Sequence, residues 1–202
     1  MTTTFRRTRR GEVVAHLHPE EVSLLRRLPD DLRPVIDAPS PPTAAVDPLA
    51  PDALAPEPEA SAADPSLGAA HGADGPATDP IRERLFPRAY LDPTEEESEV
   101  DWQAIVHPEL VRSKLEALSL LSASLDRARA KGGGVEVVLS PEEVEAWLGA
   151  LNDARLALGV ALDISEDPAE QVVAPDDPGA PGLAVYTWLT GLQGELIDVL
   201  LD

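Results

Sequence analysis

Residues 38–80 constrain this chain more than any other stretch. They read APSPPTAAVDPLAPDALAPEPEASAADPSLGAAHGADGPATDP, and 23 of the 43 are Pro or Ala. There is no aromatic, no Ile and no base other than His71. Proline removes backbone donors and alanine offers little area to bury, so such a run cannot build a core. It predicts a disordered Pro/Ala linker, locally extended, with a plain spacer favoured over a docking tether. Any core must come from the flanks: a strand–helix part in residues 1–37 and a helical main part in residues 81–202.

Both flanks carry readable signals. Glu12 to Leu17 (EVVAHL) is β-branched and partly alternating, the mark of a strand. His18-Pro19-Glu20-Glu21 then opens a helix, with proline at the first helical position and acids at the positive end of the dipole. Pro34 is the expected stop. Asp79-Pro80 precedes a short helical run, IRERLF, and TEEESE at 94–99 is expected to fray. From Pro108 to about 130 the leucines recur at three- and four-residue steps, predicting a long helix stopped by Gly132-Gly133-Gly134. Val135 to Leu139 reads as a second strand. Ser140-Pro141-Glu142-Glu143 then has the spacing of a capping box, opening a helix over 141–163. A last helix spans 182–201.

One echo ties the flanks together. Leu17-His18-Pro19-Glu20-Glu21-Val22 and Leu139-Ser140-Pro141-Glu142-Glu143-Val144 agree at five of six positions. A lone strand has no partner for its backbone groups, so the two strands are expected side by side in one small sheet, with residues 4–8 as a candidate third strand. The resulting fold class is α+β: a helix-dominated single domain with a small antiparallel sheet, interrupted by the linker.

Charge and composition then narrow the function. The chain has 202 residues and a formal net charge of −21, which is wrong for a pure nucleic-acid binder. There is no Cys, so disulfides, thiolate metal sites and thiol chemistry are excluded. The opening MTTTFRRTRRGEVV has no apolar stretch, and no apolar run approaches the ~20 residues that cross a bilayer. These features predict no export signal, no membrane partner and a cytoplasmic protein.

No catalytic motif is present. G-x-S-x-G, the P-loop and G-x-G-x-x-G are all absent, and the triple glycine precedes a strand, so it is a turn and no phosphate cradle. His16 and His18 stand at i, i+2 on a strand, but two such ligands alone do not define a metal site; neither metal nor cofactor is expected. His107 looks like a helix-entry residue. Following the leucines of the 141–163 helix, the apolar stripe lands on Arg155, which is expected to pair in the core with Glu116 or Glu195. Trp147, Tyr186 and Trp188 read as core, with Tyr186 the best placed to offer a polar tip to a partner. Arg6, Arg7, Arg9 and Arg10 form the one basic cluster, a weak nucleic-acid candidate.

The C-terminal half resembles a known family. LSPEEVEAWLGALNDARLALGVALDI, followed by VYTWLTGLQGELIDVLL, is similar to the actinobacterial family of unknown function typified by the oxidative-stress regulator AosR. The likeness rests on Glu143, Trp147, Asn152, Asp153, Arg155, Gly159, Tyr186, Trp188 and Gln193 among others, and the proline-rich middle fits as well. It implies a non-enzymatic role in the transcriptional response to oxidative stress through a protein partner such as a sigma factor or RNA polymerase. Asn152, Asp153, Arg155, Tyr186, Trp188 and Gln193 are then interaction or structural-polar candidates, and no catalytic residue carries over. Lacking Cys, this chain cannot itself sense by thiol oxidation. Two alternatives stand beside this reading: direct DNA binding through Arg6–Arg10, and a small-molecule enzyme with a polar site near Asn152, Asp153 and Arg155.

Overall fold

The computed structural model describes residues 4–38, 79–164 and 179–201. All but the ends of the 38–80 linker, His71 within it, and the loop containing Pro168, Pro175 and Pro178 lie outside the described residues.

Strands β1 (Thr4–Arg7) and β2 (Val13–Leu17) come from the N-terminal flank. Strands β3 (Arg129–Lys131) and β4 (Gly134–Leu139) come from the centre of the chain. They form one antiparallel sheet in the order β1-β2-β4-β3. The echoed joints pair as expected, Val13 opposite Leu139 and Leu17 opposite Val135. Because the pair is antiparallel, helices α1 (Pro19–Ile36) and α4 (Pro141–Ala161) leave from opposite ends of the sheet.

β3 corrects the sequence reading, which gave its residues to the end of a long helix. That helix, α3 (Glu96–Asp126), stops earlier. Gly132 and Gly133 hold φ of +60° and +82°, the left-handed geometry of a two-residue hairpin turn closed by Lys131 opposite Gly134. A Cβ on Gly134 would lie 2.9 Å from the Leu17 carbonyl oxygen, so the glycine also lets β2 and β4 approach. The glycines thus serve a hairpin and do not end the helix.

α3 also begins twelve residues before the expected Pro108, leaving His107 and Pro108 inside it. TEEESE does not fray. Pro93–Glu95 forms a 3-10 turn, and Glu96, Glu97 and Glu99 occupy the positive end of α3. Glu99 is buried and accepts from the backbone N–H groups of Ala89 (3.0 Å) and Tyr90 (2.8 Å), anchoring the preceding loop. α1 similarly runs through Pro29 and Pro34 to Ile36. Leu32 and Ile36 are buried, and their packing outweighs the backbone bonds that the prolines forgo.

Two further helices complete the fold, α2 (Pro80–Leu85) and α5 (Ala180–Leu201). Arg82 of α2 is buried and donates to the carbonyls of Val35 (2.7 Å) and Ile36 (3.0 Å) at the end of α1. A cation there satisfies orphan carbonyls and complements the dipole. Val13, Ala15, Leu17, Val137 and Leu139 line the inner face of the sheet and pack in one core with the five helices. Trp147 of α4, fully buried, donates from Nε1 to Ser124 Oγ at 2.8 Å. No described helix is long and apolar enough to cross a membrane.

The start of α4 shows the capping box read from the sequence. Glu143 N–H donates to Ser140 Oγ (3.2 Å), and Ser140 N–H donates to Glu143 Oε2 (2.9 Å). Arg127 also donates to Glu143. Burial pushes the Glu143 carboxyl up, but the Ser140 N–H and Arg127 outweigh it and hold it below its usual range. A carboxyl depressed in the folded state stabilises above its unfolded pKa and loses that stabilisation as pH falls through its folded pKa. Glu143→Gln is therefore expected to melt lower than wild type at neutral pH, and the gap should shrink in acid, as read by thermal unfolding across pH.

Candidate functional site

The six polar candidates occupy different surroundings. Arg155, Gly159 and Asp163 border a cleft of about 530 Å³ with Arg84 of α2 and Tyr186 of α5. Tyr186 packs over Gly159. Asn152 and Asp153 instead line a groove of about 450 Å³ between α3 and α4. Arg155 reaches back to Asn152 Oδ1 at 3.4 Å. Arg155 and Tyr186 thus share an opening, while Asn152 and Asp153 face another.

Arg155 is not the core ion pair expected. Glu116 pairs with Arg112 (3.4 Å), and Glu195 lies beside Glu21 and Asp198. The reason is the rotation of α4. Its buried face takes in Val144, Trp147 and Leu151 of that stripe together with Ala146, Ala150, Ala154 and Ala157, while Leu148, Leu156 and Leu158 are only partly buried. The alanines extend the buried face to one side of the stripe, so Arg155 falls at its opposite edge.

Besides Glu143, α4 buries Asp153, which Lys114 of α3 meets at 2.6 Å. Burial pushes the Asp153 carboxyl up, and Lys114 only partly opposes this. Nothing local in the sequence signals this pair, whose members lie 39 residues apart on two helices.

Trp188 is half-buried and donates from Nε1 to Glu21 Oε1 (3.1 Å), and Glu21 also accepts from the His18 N–H (2.6 Å). Gln193 is half-buried on α5. Glu195, offered above as a partner for Arg155, is half-buried; burial pushes its carboxyl up, with Glu21 and Asp198 acting the same way. His107 packs against Phe86 at 4.8 Å between centroids, and burial followed by the Arg82 charge pushes its imidazole down.

The N-terminal arginines separate. Arg7 turns toward α5 and donates to the Leu200 carbonyl (3.3 Å), at that helix's negative end. Arg6 stands on the outer side of the sheet, in register with Val14, and Arg9 and Arg10 are exposed in the following turn. His16 lies 3.6 Å from Glu136 on β4. Among the described residues no three His, Asp or Glu side chains are grouped to hold a metal ion.

A family described as a domain of unknown function, DUF2017, matches residues 2–200. The chain belongs to that family. As a DUF2017 protein it is 35% identical over 134 residues to the oxidative stress regulator AosR of Mycobacterium bovis. It has the same identity over the same length to the AosR of Mycobacterium tuberculosis. Each alignment covers 61% of this chain and 59% of the relative, so this DUF2017 chain spans about three-fifths of the length of the curated relatives it matches. No solved structure matches it.

Proposed function

We propose that this DUF2017 protein is a cytoplasmic, non-enzymatic regulator of the transcriptional response to oxidative stress. It acts by binding a protein partner, a sigma factor or RNA polymerase. The observation that carries this reading is the kinship with proteins named oxidative stress regulators. Two features support it. The chain has no Cys, so its own thiol oxidation is not the sensor, and on this reading another component senses the oxidant. Arg155 and Tyr186 line one opening and Asn152 and Asp153 another, and among the described residues these candidates assemble no nucleophile with a base.

Affinity capture of the full chain from peroxide-treated cells tests this. RNA polymerase or a sigma factor is expected to be enriched over untreated cells. Failure to recover either, with the chain intact and abundant, overturns the reading. Direct DNA binding would show instead as a gel shift falling steeply with salt and lost when Arg6, Arg9 and Arg10 are changed together to alanine.

A further inference from the structure

The outer face of the sheet has no role in the reading so far. The helices pack on the other side, through Val13, Ala15, Leu17, Val137 and Leu139. On the outer side the strand register sets two rows. Arg6, Val14 and Val138 form one; Thr4, His16, Glu136 and Arg129 form the next. Val14 is itself nearly covered, at 6% exposed, while Val138 beside it is 46% exposed. Arg127, Arg129, Glu136 and Val138 border a hollow of about 230 Å³ on this side.

The charge of this face runs against that of the chain. The whole chain carries −21, yet among the outward residues of the four strands Arg6, Arg129 and Lys131 stand against one acid, Glu136, with Arg127 at the edge. Lys131 takes up Glu136, and Arg127 reaches Glu143. Arg6 and Arg129 have no ion pair among the described residues, and Arg9 and Arg10 stand exposed at the adjoining turn. Lys131 first, with His16 and Arg6 adding to it against burial, holds the Glu136 carboxyl below its usual range, consistent with a positive local potential.

We propose that this face is a docking surface for an acidic protein segment with an apolar anchor. The anchor lies on Val138, and the segment's carboxylates reach Arg6 and Arg129. This deepens the functional reading above and rests on its claim that the partner is a protein. Complementarity of charge selects the partner's sign. Exposed Val138 favours a protein segment, since a phosphate backbone has nothing apolar to place there. Among the described residues of this face the one aromatic ring is the His16 imidazole, which faces Glu136 at 3.6 Å, and no Phe, Tyr or Trp offers a platform for base stacking. The sheet is only about 14 Å wide at four strands, and screening over about 8 Å confines its field, so a long polyanion would run on to the acidic remainder of the molecule.

The test uses the full chain and a fluorescent acidic peptide bearing spaced leucines, titrated by anisotropy. A peptide of equal charge with serines for the leucines and a duplex DNA serve as competitors. Saturable binding is expected, with amide NMR shifts clustered on Val14, Val138, Arg6 and Arg129. Arg6→Glu with Arg129→Glu, and separately Val138→Asp, should each weaken it about ten-fold or more. Arg112→Glu, on the far exposed side of α3, should leave it unchanged, and melting curves check that every variant folds. Three results overturn the proposal: no saturable binding, binding that these variants leave intact, or duplex DNA or the serine peptide competing as well as the leucine peptide. A dimer of this chain that Val138→Asp dissolves also overturns it, because a second copy then occupies the face. Polymerase capture with no peptide binding sinks this surface and spares the functional reading; peptide binding with no capture does the reverse.

Discussion

Trp147→Ala is expected to destabilise the fold by about 3–5 kcal/mol, the range for emptying a large aromatic site in a packed core. Trp147 has no exposed surface and sits where α4 meets α3 above the sheet. The substitution leaves a cavity that the surrounding leucines, Leu121, Leu125 and Leu151, can only partly close, because each is itself fully buried. It also removes the Nε1 donor to Ser124 Oγ. Ser124 Oγ still donates to the Leu121 carbonyl at 2.7 Å, so no orphan donor is created and packing dominates the loss. Trp147→Phe separates the two effects: it keeps much of the volume and should cost roughly 1–2 kcal/mol. Denaturant unfolding at constant slope measures both. A Trp147→Ala midpoint near that of wild type would mean that this site is not part of the core.

Lys114→Ala is the second large effect, at about 2–4 kcal/mol at neutral pH. It leaves Asp153 buried without its partner at 2.6 Å. The groove beside it admits some water, which keeps the cost under that of a fully sealed charge. The pH dependence has a definite sign. Burial already raises the Asp153 carboxyl in the folded protein, with Lys114 opposing. Without Lys114 it rises further, so the penalty is present at pH above the folded pKa and is relieved as pH falls through it. The gap between Lys114→Ala and wild type should therefore narrow in acid. Lys114→Met with Asp153→Leu should recover most of the stability, because a buried pair replaced by apolar groups of similar volume is often neutral. Thermal melts of the singles and the double across pH measure this coupling.

How far these features were legible depends on how local their causes are. The joint at Ser140 needs only four consecutive residues, and its capping bonds formed as read. The pairing of β2 with β4 followed from a repeated joint and the need of backbone groups for partners. β3 was hidden because Arg129, Ala130 and Lys131 carry no β-branched signal; two left-handed glycines and a waiting neighbour strand made the hairpin. The start of α3 was hidden as well: its first three turns carry little apolar periodicity, and Glu99 anchors them to the loop just before the helix.

The candidate site divides in the same way. Kinship with the family was legible in the last two helices, since it lies in residue identity. The surroundings of each residue were not. Arg155 was placed in the core by a leucine stripe, and the buried face of α4 instead extends from Trp147 and Leu151 toward its alanines, leaving Arg155 at the edge. Arg6 and Arg7 look equivalent in the chain, but the alternation of a strand sends one toward α5 and the other to the outer face of the sheet.

From the sequence alone came the α+β class, the joints that open α1 and α4, and the lack of any thiol, because short-range propensity and composition settle these. Only the tertiary structure decided which ions are buried, which cations share the sheet's outer side, and how far α3 extends. Those depend on which surfaces meet across segments far apart in the chain, and no local pattern of residues encodes that meeting.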